Sequence, residues 1–172
     1  MKRILFLLFL IGISHSYAQS EIFDASRKGN VKDVVSIYTQ NPNSINLRDN
    51  DGYTPLILAC YHSNEEVVRF LVDKVKDINQ TSPYGSALMA AVVKGNNEIV
   101  EFLLKRNADT DIADENGTTA MHYAVMFRNY EAIKLLINAN ADVRLKDNRG
   151  QCAMDYAVNY KDKKLTNLLK NI

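Results

Sequence analysis

Two histidines, His62 and His122, and two cysteines, Cys60 and Cys152, are the side chains best suited to chemistry after residue 18 of the 172-residue sequence. A metal site or a nucleophile–base pair needs such groups brought together, commonly at i,i+3 or i,i+4 on one helix face. Neither histidine stands at that spacing from a cysteine or from the other histidine. The sequence contains no phosphate-cradling glycine loop, no G-x-S-x-G elbow and no H-E-x-x-H. Its carboxylates fall mostly at turn signals and helix starts, where local structure explains them. The reading is a protein that is not an enzyme and holds neither metal nor cofactor.

The elements that would carry these residues come in copies. Gly52, Gly85, Gly117 and Gly150 are spaced by 33, 32 and 33 residues, and Ala25, Ala59, Ala91, Ala124 and Ala157 by 34, 32, 33 and 33. Within the copy at Glu115–Asp142, the Asn116-Gly117 turn precedes a short apolar run, and a polar break at Arg128-Asn129 precedes a second helical pattern with Ala132, Ile133, Leu135, Leu136 and Ile137. Helices of about ten residues are marginal alone. A fixed period of this length marks a solenoid, whose units bury their apolar faces against their neighbours.

Gly52-Tyr53-Thr54-Pro55-Leu56-Ile57-Leu58-Ala59 and Gly117-Thr118-Thr119-Ala120-Met121-His122-Tyr123-Ala124 resemble the ankyrin repeat, whose first helix opens T-P-L-H-x-A. Asn107-Ala108-Asp109 and Asn140-Ala141-Asp142 look like that family's G-A-D turn, with asparagine taking the left-handed position. The resemblance implies an all-α fold, an ankyrin-repeat solenoid of stacked helix-turn-helix units joined by short hairpin-like turns. It places one domain over 19–172, with approximate repeats 21–48, 49–81, 82–113, 114–146 and 147–172. The irregular first and last units read as capping repeats. Only His122 fills the family's histidine position, where it implies a hydrogen bond within the repeat framework; Ile57, Met89 and Asp155 replace it elsewhere. Cys60 and Cys152 fall three units apart, too far for a disulfide when stacked helices sit about 8–10 Å apart. Both read as small buried hydrophobes.

In proteins resembling this family, partners dock on the concave side made by the turn tips and the first helices. Carried over to this sequence, that face comprises Tyr53, Tyr61, His62, Tyr84, Lys94, Met126, Phe127, Arg149, Asn159 and Tyr160. Five are aromatic, and rings bury much area for little lost rotamer freedom. Tyr123 and Tyr156, one helical turn earlier, read as nearer the framework. The bland alternative is that neighbouring rings cover each other and stiffen the array.

Composition, at 47% apolar and 24% charged, is that of an ordinary folded domain. Residues 1–18 stand apart: Lys2-Arg3, the apolar run Ile4–Ile13 and Ser16-Tyr17-Ala18 form a secretory signal pattern with a cut expected after Ala18. The run is short for a membrane span of about 20 residues, so no stable anchor is expected after cleavage. Losing Lys2 and Arg3 leaves 19 basic against 20 acidic residues, which gives no general pull toward nucleic acid. Asn79-Gln80-Thr81 and Asn116-Gly117-Thr118 match the glycosylation pattern, but few cysteines favour bacterial export, to the periplasm or beyond. The expected function is a secreted or periplasmic, monomeric, non-catalytic binder of a protein partner. The alternative is an accessory protein handling a small ligand or cofactor for an exported enzyme, with the rings stacking a planar group and His62 in contact.

Overall fold

The computed structural model describes residues 20–170, so the leader at 1–18 lies outside the described residues. Helix pairs follow one another along the chain: α1 (residues 20–28) with α2 (Val31–Gln40), α3 (Pro55–Tyr61) with α4 (Glu65–Val72), α5 (Ala87–Lys94) with α6 (Asn97–Leu104), α7 (Ala120–Met126) with α8 (Tyr130–Asn138), and α9 (Ala153–Asn159) with α10 (Lys163–Lys170). The first helices of successive pairs pack in one layer, α3 on α5, α5 on α7 and α7 on α9. The second helices α2, α4, α6 and α8 pack in a parallel layer behind them. This is the stacked all-α solenoid implied by the repeat.

Burial follows from the two-layer stack. An inner helix is flanked by copies and backed by its partner, so Pro55–Cys60 and Ala87–Val92 are buried all round. An outer helix is covered on one stripe only: Val67, Val68 and Leu71 in α4, Ile99, Val100 and Leu103 in α6, and Ala132, Ile133 and Leu136 in α8. Ala59, Ala91, Ala124 and Ala157 are wholly buried at the repeated helix contact, where a larger side chain would push the layers apart.

Helix starts use the expected capping chemistry. The Thr54 hydroxyl accepts from the Ile57 N–H, with Pro55 at the first helical position. Ser86 does the same for Met89 in the shortened unit. There the tip is a true β-hairpin, β1 (Thr81–Ser82) against β2 (Gly85–Ser86), joined by Pro83-Tyr84. Cys152 departs from the sequence reading. It is half-buried, and its thiol occupies the capping position that a threonine fills elsewhere, so it serves a helix start instead of filling a core gap.

Three left-handed positions recur, after the outer helices, between the helices of a pair and at the tips. Asn107 and Asn140 end the outer helices at φ +59° and +62°. Between inner and outer helices the slot holds Gly29 and Gly95, but also Ser63, Arg128 and Lys161 at φ +58°, +53° and +54°. Left-handed backbone costs a side-chain-bearing residue about 1–2 kcal/mol. At the tips, Gly117 combines φ +72° with close approach: a Cβ there would stand 3.0 Å from the Asn148 backbone nitrogen. Gly95, at φ +71°, has open space around the same point. Gly95→Ala is therefore expected to destabilise by about 1 kcal/mol, and Gly117→Ala by roughly 2–4 kcal/mol because strain and overpacking add. Urea unfolding of the two variants separates these terms; equal losses would mean that the tip contact carries no energy.

Candidate ligand-binding face

The face begins with the tips, and three of the four are each tied by one carboxylate, while in the hairpin tip the Ser82 hydroxyl accepts from the Tyr84 N–H at 3.2 Å and donates to Gly85 O at 3.2 Å. Asp114 Oδ1 accepts from the Asn116 N–H at 2.8 Å and the Thr118 N–H at 2.9 Å. Asp147 Oδ1 repeats this with Arg149 and Gln151, both at 2.9 Å, and Asp49 Oδ1 with Asp51 at 3.1 Å and Tyr53 at 2.9 Å. The second oxygen reaches the inner helix: the Tyr123 hydroxyl donates to Asp114 Oδ2 at 2.6 Å, and the Tyr156 hydroxyl donates to Asp147 Oδ2 at 2.5 Å. In the first unit Arg27 fills that role for Asp49 at 2.6 Å. Tyr123 and Tyr156 thus belong to the framework.

Neighbouring tips are then joined through the backbone, Glu115 N–H to Pro83 O at 3.2 Å and Asn148 N–H to Asn116 O at 2.9 Å. His122 is part of the same frame. Its Nδ1 accepts from the Thr119 N–H at 3.2 Å, so Nε2 carries the proton and donates to Gln151 O of the next unit at 3.1 Å. With both nitrogens engaged and the ring buried, His122 has no lone pair for a substrate or a metal. In the fifth unit Asp155 stands in, accepting from the Cys152 N–H at 2.9 Å.

On this frame the expected face residues are disposed unequally. Tyr84, Phe127, Tyr61 and Tyr160 are 66%, 55%, 46% and 38% exposed, enough ring for a partner to cover. Tyr53 is half-buried and stacked on Tyr84 with centroids 5.5 Å apart. Met126 lies half-buried against the core. Phe127 stacks on Tyr123 at 6.2 Å, and Tyr160 leans on Tyr156 at 6.4 Å. The Lys94 ammonium stands 4.9 Å from the Tyr61 ring centroid, and the His62 ring meets Tyr61 edge-on at 5.5 Å. Arg149 and Asn159 are exposed. Rings do support one another along the face, yet four remain open.

Val158, 56% exposed, and Arg128, whose guanidinium lies 5.4 Å from the Tyr160 ring centroid, were not among the residues expected on this face. A basic residue in a glycine slot was the legible signal for Arg128. A depression of about 1190 Å³ opens at the first unit, lined among others by Asp24, Lys28, Asp33 and Leu47 and by none of the expected face residues. Among the described residues no group of three or more His, Cys, Asp or Glu could hold a metal ion, and no helix is long and apolar enough to cross a membrane.

The family model for ankyrin repeats (3 copies) matches residues 22–114 and 88–172. The chain belongs to the ankyrin-repeat family. It is 41% identical over 108 residues to the ankyrin repeat and SAM domain-containing protein 6 of Rattus norvegicus, covering 62% of this chain and 12% of that protein. It is 33% identical over 104 residues to the putative ankyrin repeat protein FPV031 of fowlpox virus, covering 58% and 30%. A match of 30% over 104 residues to the E3 ubiquitin-protein ligase hecd-1 of Caenorhabditis elegans covers 60% and 4%. The chain therefore spans about an eighth of the length of its curated SAM-domain relative, and the likeness is to ankyrin-repeat segments of larger proteins.

The Asp147 tip carboxylate predicts an acid response. Burial pushes the Asp147 carboxyl up, but hydrogen bonds from the Tyr156 hydroxyl and the Gln151 and Arg149 N–H groups outweigh it and leave the group below its usual range. A lowered folded-state value contributes stability above the unfolded value near 3.9, lost as pH falls through the folded value. Urea midpoints at pH 6 and pH 3 should drop less in Asp147→Asn than in the parent. An equal drop would remove Asp147 from the acid response.

Proposed function

We propose that this protein is an exported, non-catalytic module that holds one protein partner along the face built from the tips and inner-helix ends. Ankyrin repeats are a protein-interaction scaffold, and the observation that carries the reading is the run of exposed rings, Tyr61, Tyr84, Phe127 and Tyr160, spread over consecutive units. Rings held by neighbours at 5.5–6.4 Å are already ordered, so a partner loses little freedom in covering them. His122, buried in the repeat framework, has both ring nitrogens hydrogen-bonded and serves the scaffold. Export rests on the leader at residues 1–18, and the mature chain acts as a monomer in the periplasm or outside the cell.

Protein recovered from the producing host should begin at Gln19; a retained leader would count against export. A partner captured by the mature chain should bind Tyr61→Ala and Phe127→Ala each about 30-fold more weakly, the loss expected of central rings worth about 2 kcal/mol. Unchanged titrations for both variants would move the binding face elsewhere.

A further inference from the structure

The three residues closing each inner helix form a ridge along the face: Arg27-Lys28-Gly29, Tyr61-His62-Ser63, Val93-Lys94-Gly95, Met126-Phe127-Arg128 and Asn159-Tyr160-Lys161. These positions hold five Lys or Arg and no carboxylate. Arg27 is paired with Asp24 and Asp49, but among the described residues Lys28, Lys94, Arg128 and Lys161 are in no ion pair, and all four are exposed. Two of the cations are positioned by rings of adjacent units, Lys94 over Tyr61 and Arg128 over Tyr160. A cation held on a ring keeps its outer side for a second, anionic contact.

Arg128 and Lys161 occupy left-handed positions that glycine fills in two sister units and Ser63 in a third, so the turn itself does not require a charged side chain there. Neither makes an ion pair among the described residues. Asp162, which follows Lys161 in the chain, already has its carboxylate engaged, accepting from the Tyr130 hydroxyl at 2.7 Å. The acids opening the outer helices are partly engaged, Glu65 with Arg69 and Glu131 with Lys134, whereas Glu66 and Glu98 stay exposed.

We infer that the ridge takes an extended acidic segment of the partner, with carboxylates on Lys94, Arg128 and Lys161 and apolar side chains on Tyr61, Phe127 and Tyr160; this rests on the partner-binding face proposed above. Stacked helices repeat about every 8–10 Å and an extended chain rises about 3.3 Å per residue. One carboxylate about every third residue therefore keeps step with the units. A polyphosphate backbone fits less well, because its closely spaced charges would also meet Glu66, Glu98 and the tip acids Asp51 and Glu115.

The test is fluorescence anisotropy with the purified full chain and a labelled peptide of about twelve residues, Glu at every third position with Leu and Thr between. The same peptide with Lys for Glu and a single-stranded oligonucleotide are the comparisons. The acidic peptide alone should bind, more weakly at high salt, and Lys94→Glu with Arg128→Glu should cost at least tenfold. Lys74→Glu, after the outer helix α4, should leave binding unchanged. Arg128→Gly removes the charge while giving the turn the residue its backbone prefers, so its loss of binding cannot come from misfolding. No binding, equal binding of the Lys peptide or the oligonucleotide, or indifference to these variants would overturn the inference. If a partner that depends on Tyr61 and Phe127 is held as tightly by the charge-reversed chain, the face stands and only the acidic segment falls. If Tyr61→Ala and Phe127→Ala change nothing, the face itself falls.

Discussion

Every helix among the described residues is too short to stand alone, and that constraint explains most of how they pack. Seven to ten residues give two or three turns, below the length at which propensity sustains a helix in water. Each pair is held by burying its inner-helix alanine, Ala25, Ala59, Ala91, Ala124 or Ala157, within the stack. Stability then accumulates from neighbour to neighbour. The inner helices, covered on nearly every side, became almost wholly apolar, while the outer helices kept one polar face.

The tips solve a different problem. A turn that projects from the stack has little apolar area to bury, so it is ordered by hydrogen bonds. One aspartate oxygen takes two N–H groups of its own turn, and the other takes a hydroxyl or guanidinium from an inner helix. Side-chain oxygens also cross between units, as where Asn79 accepts from the Asp109 N–H and Asp111 from the Asp142 N–H, both at 2.9 Å. The result is a rigid frame on which rings and cations are carried at the unit spacing. His122 is taken up in the same frame, both of its ring nitrogens being hydrogen-bonded.

On the back of the stack the same logic makes surface, not site. Phe102 is sandwiched between the Arg69 and Arg106 guanidiniums at 4.6 and 4.8 Å, and Lys164 stands 4.0 Å from the Tyr130 centroid. Arg69 and Arg106 have carboxylate partners in Glu65 and Asp73, whereas Lys164 is in no ion pair among the described residues. On the inner face Lys94, Arg128 and Lys161 are likewise in no ion pair among the described residues, and there Lys94 and Arg128 lie against rings of neighbouring units.

The period, the capping threonine at Thr54 and the left-handed asparagines were legible from residue types, because each is a local requirement of backbone geometry, while the framework role of His122 came from the resemblance to the ankyrin repeat. Even the Tyr123–Asp114 and Tyr156–Asp147 bonds left a trace, a nine-residue spacing occurring twice, though nothing local says that a hydroxyl will turn back to its own tip. Which rings stay open was decided by packing: Tyr53 is stacked under Tyr84 and Met126 is drawn toward the core, while Phe127, the next residue, stays out. Cys152 shows the same limit, since burial there depends on the unit beside it and not on the thiol. Sequence alone determined the repeat, its period and its turn chemistry, because those follow from dihedral preference and apolar spacing within one unit. Only the tertiary stack decided which side chains find a neighbour and which remain for another molecule, because that depends on the unit next door, some 33 residues away in the chain.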